Sequence, residues 1–129
     1  MAGLLLDTHA LLWWLSADRA MPDSARELIA RKSNTVMVSA ASAWEIATKA
    51  RLGKLIGAGP IVDEFSTYLA NERFVGLSVT IQHGILAGSL PGPHRDPFDR
   101  MLIAQALEEN LQIVSNEQIF DSYGVSRLW

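Results

Sequence analysis

The pattern of hydrophobic and polar positions changes along the chain between short apolar runs and stretches of helical periodicity. Residues 4–6 are three leucines followed by Asp7. Such a run is typical of a buried strand in a parallel sheet, where both faces are covered. Further short apolar or β-branched runs predict strands at 35–38, 74–79, 111–114 and 125–128.

Amphipathic or continuously apolar stretches between these runs predict helices. Pro22 and Pro97 suit first helical turns, and Gly53 suits a helix stop. The predicted helices cover 8–15, 22–31, 43–52, 61–69, 81–88, 97–110 and 117–123. Strands and helices alternate without repeats or linker-like segments. The sequence therefore predicts a single α/β domain over 1–129, a three-layer α/β/α sandwich with a mainly parallel central sheet.

Composition removes several classes of protein. A chain of 129 residues can bury roughly two-thirds of its unfolded surface without covalent cross-links. The absence of cysteine excludes disulfides, zinc–thiolate sites and thiol nucleophiles. The longest apolar stretches, such as 10–15, are shorter than the roughly 20 residues of a membrane span, and no secretion signal opens the chain. We expect a cytoplasmic protein without a membrane segment.

The charge balance limits how the chain could bind nucleic acid. Lys and Arg number 11 against 14 Asp and Glu, for a net charge of −3. This balance excludes a generally basic nucleic-acid-binding surface. It does not exclude a nuclease, because acids gathered around metal ions leave the remaining surface more basic than the total suggests.

Acidic side chains collect where the predicted strands end. Asp7 ends the first strand, and Glu117 lies just past the fourth. Glu45 sits about one turn into the helix after the second strand, while Asp96 and Asp99 begin the helix before the fourth. Ligands of an open parallel sheet bind beyond the carboxyl ends of its strands. The sequence therefore predicts one acidic site at this edge.

Each of these acids also has a purely structural interpretation. Asp7, Asp96 and Glu117 are residues that could cap the helices that follow them. Asp99 could be a first-turn residue that interacts with the helix dipole, and Glu45 a solvated helix charge. The joint arrangement favours a site more strongly than any single member does.

Carboxylates placed together need a compensating charge. Two of them about 4 Å apart repel by roughly 4 kcal/mol at an effective dielectric near 20. Hard divalent cations with oxygen ligands relieve that repulsion, and a carboxylate set without Cys or clustered His favours Mg²⁺ or Mn²⁺ over Zn²⁺. Such a site supports phosphodiester hydrolysis by a metal-activated water.

Four segments carry a resemblance to a known family. They read LLLDTH at 4–9, VSAASAWEI at 38–46, HRDPFDRMLIAQA at 94–106 and IVSNE at 113–117. Together they resemble a PIN-domain nuclease of the VapC toxin type, over essentially the whole chain. The block from 94 to 106 is the most specific of the four.

The resemblance implies a PIN-like fold and a Mg²⁺- or Mn²⁺-dependent endoribonuclease, the toxin of a toxin–antitoxin pair. Implied partners are the RNA substrate and a cognate antitoxin, in a homodimer or a toxin–antitoxin hetero-oligomer. Asp7, Glu45 and Asp99 match three acids of the family as catalytic metal ligands. Glu117 falls where the family more often has Asp.

Two further groups of residues flank the acids. Candidates to hold the carboxylates in place, or simply to form turns and caps, are Thr8, Ser39, Asp96, Ser115 and Asn116. Candidates to bind the RNA backbone, or to be ordinary solvated charges, are Lys49, Arg51, Lys54, Arg95 and Arg100. His9 is expected to be packed or half-exposed, and His94 to be a surface residue.

Two rival functions use the same features. One is a non-catalytic PIN-fold binding or regulatory module that acts through a protein partner. The other is a phosphate-accepting receiver-type domain, whose carboxylates also cluster at strand ends. A receiver domain needs a Lys near the end of a late strand, and no Lys follows Lys54.

Overall fold

A computed structural model describes residues 3–129 and confirms the predicted fold class. Within these residues, five strands form one sheet in the order β3-β2-β1-β4-β5, and every neighbouring pair is parallel. The strands are β1 Gly3–Leu6, β2 Thr35–Ser39, β3 Val75–Leu77, β4 Gln112–Val114 and β5 Arg127–Leu128. Met1 and Ala2, included in the predicted domain, lie outside the described residues.

Helices connect the strands and cover both faces of the sheet. They are α1 Thr8–Leu15, α2 Asp23–Ala30, α3 Ala40–Arg51, α4 Gly59–Asp63, α5 Phe65–Glu72, α6 Ile81–Ser89 and α7 Pro97–Glu109, followed by a 3₁₀ helix at Gln118–Tyr123. In the described part of the chain, no helix is long and apolar enough to cross a membrane.

Several element bounds differ from the sequence prediction, and three of the differences have a local physical cause. The helix predicted at 61–69 is two helices, α4 and α5, because the backbone at Glu64 leaves helical geometry with φ −124° and ψ 35°. Helix α3 begins at Ala40, three residues early, because the Ser39 side chain caps it. Strand β3 is shorter than 74–79 because this edge strand pairs on one side only, with Met37–Ser39 of β2.

The central strand β1 separates two hydrophobic clusters. Leu4 and Leu6 pack into one cluster with Leu11 of α1, and Leu5 packs into the other with Ile103 and Phe120. All six side chains are essentially inaccessible to solvent. This two-sided burial explains why β1 is apolar at every position from 4 to 6.

The strand order sets where a ligand can bind. From β1 the chain first adds β2 and β3 on one side, and then crosses to add β4 and β5 on the other. The crevice at the carboxyl ends of β1 and β4 is therefore a topological switch point, the usual binding position in this class of sheet. Asp7 and Ser115 directly follow these two strands.

Truncating the centre of β1 should unfold the protein more readily. Leu5→Ala removes a fully buried side chain and leaves a cavity, so we expect the free energy of unfolding to fall by about 2–5 kcal/mol. Chemical denaturation measures this loss. Ile56→Ala, at a fully exposed position, is the control and should change the value by less than about 0.5 kcal/mol. Equal effects of the two variants would contradict the assigned core.

Candidate functional site

Asp7 joins the end of β1 to the start of α1. Its backbone N–H donates to the Val114 carbonyl (3.1 Å), and its Oδ1 accepts a hydrogen bond from the Ala10 N–H (2.7 Å). The capping interpretation of Asp7 is therefore correct. The cap contact uses one carboxylate oxygen, and the side chain is almost completely buried at the switch point.

Glu45 is buried, so its interpretation as a solvated helix charge is wrong. The Thr8 hydroxyl donates to Glu45 Oε1 at 2.6 Å, and the Lys49 ammonium bonds Oε2. The Ser42 hydroxyl lies 3.1 Å from that of Thr8. The hydrogen bond with Glu45 raises the pKa of Lys49, and the negative charge of nearby acids raises it further. Lys49, a candidate for RNA binding, here neutralises Glu45.

The start of α7 carries the second pair of acids. Asp96 Oδ1 accepts hydrogen bonds from the N–H groups of Phe98 (2.9 Å) and Asp99 (3.0 Å), so the capping interpretation of Asp96 is correct. The Asp99 side chain lies in the first turn, where its Oδ2 is 2.8 Å from His94 Nε2.

His94 is the site residue that the sequence analysis missed. It was expected to be a surface residue, yet only 23% of its side chain is exposed and its ring contacts Asp99. The available signal was its position five residues before Asp99 in the HRDPFD block. Spacing alone does not show the contact, because the loop between the two residues has no periodicity.

Glu117 follows β4 and is the most exposed of the four acids. Its Oε1 lies 3.6 Å from Nδ1 of His9, which is exposed and stacked on Trp13 as a half-exposed histidine would be. Glu117 precedes the 3₁₀ helix but its side chain makes no capping bond, so that interpretation is wrong. Its N–H donates to the buried Ser115 hydroxyl at 2.9 Å.

The other predicted supporting residues differ in what they touch. Ser39 accepts a hydrogen bond from the Ala41 N–H and caps α3. The Thr8 hydroxyl bonds the Glu45 carboxylate, and the Ser115 hydroxyl bonds that of Asp7. Asn116 is exposed beside Glu117. The hydroxyls therefore shape the backbone as much as they hold the acids.

Burial dominates the electrostatics of the site. Desolvation raises the pKa of Asp7 to about 6, with Glu117 adding to the rise, while the Ser115 hydroxyl and the Ala10 N–H oppose it. Desolvation likewise raises the pKa of Asp99 to about 6, which the hydrogen bond from His94 opposes. Asp96 and Glu117 raise it further by repulsion. The acids therefore act on one another through a shared low-dielectric region.

The acids form two groups. Glu45 is held between Thr8 and Lys49, whereas Glu117 repels both Asp7 and Asp99. Among residues 3–129, no three Asp, Glu or His side chains converge closely enough to form a metal-binding group in this conformation. The donor chemistry fits Mg²⁺ or Mn²⁺, because all four are hard carboxylate ligands whose mutual repulsion a cation would relieve.

The candidate RNA-binding residues differ in their exposure and in the groups they contact. Arg51, Lys54 and Arg95 are exposed, as phosphate-binding side chains must be. Arg100 is not free for that role in this conformation. Its guanidinium donates to three backbone carbonyls of the segment that precedes α7, those of Ala87, Leu90 and His94.

Comparison with known proteins places the chain among characterised relatives. The PIN domain family model matches residues 4–125. Ribonuclease VapC22 of Mycobacterium tuberculosis (strain ATCC 25618 / H37Rv) is 28% identical over 125 residues, which are 95% of this chain and 93% of that protein.

Solved structures share the fold. A DNA-bound VapBC from Salmonella typhimurium matches with a TM-score of 0.73 and 19% identity, covering 99% of this chain and 98% of that one. VapBC2 of Rickettsia felis, bound to a DNA fragment from its promoter, matches with a TM-score of 0.71 and 19% identity, covering 98% and 97%.

Neutralising Asp7 should stabilise the metal-free protein at neutral pH. The pKa of about 6 exceeds the ordinary 3.8, so the folded state binds more protons and the free energy of unfolding falls as pH rises from about 4 to about 6. Above pH 6 the full loss, about 3 kcal/mol, is present. Asn keeps the cap without the charge, so Asp7→Asn should unfold at a higher temperature than wild type at pH 7.5.

Thermal unfolding with EDTA, from pH 4 to 8, measures this gain. The matched control is Asp121→Asn, because Arg127 lowers the pKa of the exposed Asp121 carboxyl and its neutralisation should bring no gain. A lower unfolding temperature for Asp7→Asn than for wild type at pH 7.5 would contradict the assigned electrostatics.

Proposed function

The chain belongs to the PIN domain family, and from this premise we propose that it is a Mg²⁺- or Mn²⁺-dependent endoribonuclease. The observation that carries the proposal is that carboxylates from three separate segments lie largely out of solvent near the carboxyl edge of the sheet: Asp7 and Glu45 are buried, and the Asp99 side chain is 18% exposed. Glu117 borders the same region. The ribonuclease name of the VapC22 relative supports this reading.

In the proposed site, Asp7, Glu45 and Asp99 hold the cation, and Glu117 completes the ligand set. A bound divalent cation would supply the positive charge that activates water and stabilises the phosphate as it is cleaved. The chain's own part is to keep carboxylate ligands in a region of low dielectric. None of its side chains is proposed as a covalent nucleophile.

Neighbouring groups prepare these ligands. The Thr8 hydroxyl orients Glu45, and Lys49 balances its charge while the metal is absent. Asp96 fixes the first turn of α7, on which Asp99 stands. Fixed partners of this kind orient a carboxylate before the metal binds and so strengthen metal binding. We propose that residues 1–129 carry out this function as one domain.

RNA would reach the acids past exposed cations. Arg51, Lys54 and Arg95 are exposed and belong to the segments that carry Glu45 and Asp99, so we assign them to contacts with RNA phosphates. Such contacts give affinity that does not depend on base sequence. They also offset the repulsion between RNA and a protein of net charge −3.

We also propose that the chain is the toxin of a toxin–antitoxin pair. The structures from Salmonella typhimurium and Rickettsia felis are of VapBC bound to DNA, and this chain covers nearly all of the matched chain in each. The proposed partner is a cognate antitoxin that blocks cleavage, in a homodimer or hetero-oligomer.

Cleavage should require both the metal and Asp99. We expect antitoxin-free protein to cut total RNA into discrete bands with Mg²⁺ or Mn²⁺ and to cut nothing with EDTA. Asp99→Asn should lower the rate by at least about 100-fold, because losing a ligand costs more than the roughly 10–100-fold effect of losing an outer partner. Gel analysis and end-mapping measure the products. Asp63→Asn, at an exposed acid on α4, is the control and should cut normally.

Folded protein that cuts no RNA with either metal would contradict the nuclease. The same protein, if it still bound a partner, would be the non-catalytic PIN-fold module considered above. Cleavage that persists fully in Asp99→Asn would instead point to a contaminating nuclease.

Toxicity in cells should depend on Asp99, as cleavage does. We expect expression of the wild-type chain to arrest growth, and expression of Asp99→Asn to leave growth unchanged at an equal protein level. Co-expression of the cognate antitoxin should restore growth in the first case, with a stable complex on size-exclusion chromatography. Equal arrest by both chains would separate toxicity from the proposed chemistry.

A further inference from the structure

Hydrogen bonds from Arg100 and to Tyr123 hold the segment that runs from the end of α6 to the start of α7. The Arg100 guanidinium donates to the carbonyls of Ala87, Leu90 and His94. From the other side, the His94 N–H donates to the Tyr123 hydroxyl at 3.2 Å. The backbone of His94 is therefore held through both its N–H and its carbonyl.

Gly92 allows this loop to lie against Tyr123. Its φ of +96° is in the left-handed region, and a Cβ at this position would lie 2.7 Å from the Tyr123 hydroxyl oxygen. A larger residue would push the loop away from the tyrosine. The glycine, the tyrosine and the arginine together place one residue, His94, at a set position.

The fixed backbone places the His94 ring next to one oxygen of the Asp99 carboxylate. Nε2 lies 2.8 Å from Asp99 Oδ2, and both side chains are largely buried, with 23% and 18% exposed. The hydrogen bonds that residues 3–129 make to the Asp99 side chain go to Oδ2. The imidazole thus restricts the rotation of the carboxylate while Oδ1 stays available to a ligand.

We propose that His94 is a positioning residue for the metal-binding acids, held by Tyr123 and Arg100, which orients the Asp99 carboxylate through Nε2. The inference rests on the proposed function, because Asp99 is a ligand there. A carboxylate already fixed in one orientation loses less freedom when a cation binds, so the imidazole strengthens metal binding without touching substrate.

The test is the affinity for Mn²⁺ alone, measured by isothermal titration calorimetry without RNA. His94→Ala should weaken binding by roughly 10–100-fold. His94→Gln should recover most of the affinity, because the Gln amide can donate from nearly the position of Nε2. Gln82→Ala, at an exposed position on α6, is the control and should not weaken binding.

Tyr123 should act only through His94. Tyr123→Phe should weaken Mn²⁺ binding less than His94→Ala does, and it should add no further loss in the His94→Ala background. Full additivity of the two effects would contradict the assigned chain of contacts.

A spectrum of the metal-free protein checks the contact independently. The chain has three histidines, so long-range ¹H–¹⁵N NMR can resolve each ring. We expect His94 as the Nε2–H tautomer in wild type, as a mixture in Asp99→Ala, and His83 unchanged in both. If the His94 ring signals are the same in wild type and Asp99→Ala, the proposal is overturned.

The outcomes separate the two levels of inference. If the wild type binds Mn²⁺ and His94→Ala binds it with the same affinity, the role of His94 is overturned and the proposed nuclease is unaffected. Wild type that binds no Mn²⁺ overturns the proposed metal site, and the role of His94 falls with it.

Discussion

The structure depends on the burial of carboxylates at the end of its most apolar strand. Strand β1 has core on both faces, so the residue that follows it, Asp7, starts from a region of low dielectric. Burial there disfavours the ionised form and raises its pKa to about 6. The same desolvation acts on Asp99 at the start of α7. The fold thus concentrates unfavourable charge at the carboxyl edge of its sheet.

Local contacts reduce this cost without removing it. Asp7 and Asp96 accept hydrogen bonds from helix N-termini, where backbone N–H groups and the helix dipole favour negative charge. Glu45 is neutralised by Lys49, and Asp99 is held by His94. Capping and site formation are therefore not alternatives here. The carboxylates of Asp7 and Asp96 cap helices and still lie among the acids of the candidate site.

A site that buries charge lowers the stability of the fold. Charge that destabilises the fold would become favourable on binding a divalent cation, so the proposed metal site would couple metal binding to folding. The exposed and pre-formed parts of the site differ accordingly. Glu117 and the cations at Arg51 and Lys54 face solvent, whereas Asp7 and Glu45 are fixed in the interior.

The sequence by itself determined the fold class and the order of helices and strands, and it singled out the four acids of the proposed site. Short apolar runs such as 4–6 have few structural alternatives, and parallel strands bring the residues after them to one edge. The tertiary structure alone decided that Glu45 is buried, that Lys49 and Arg100 bond protein groups, and that His94 meets Asp99. These contacts depend on loop conformation and on the packing of helices distant in sequence, neither of which leaves a periodic signal in the chain.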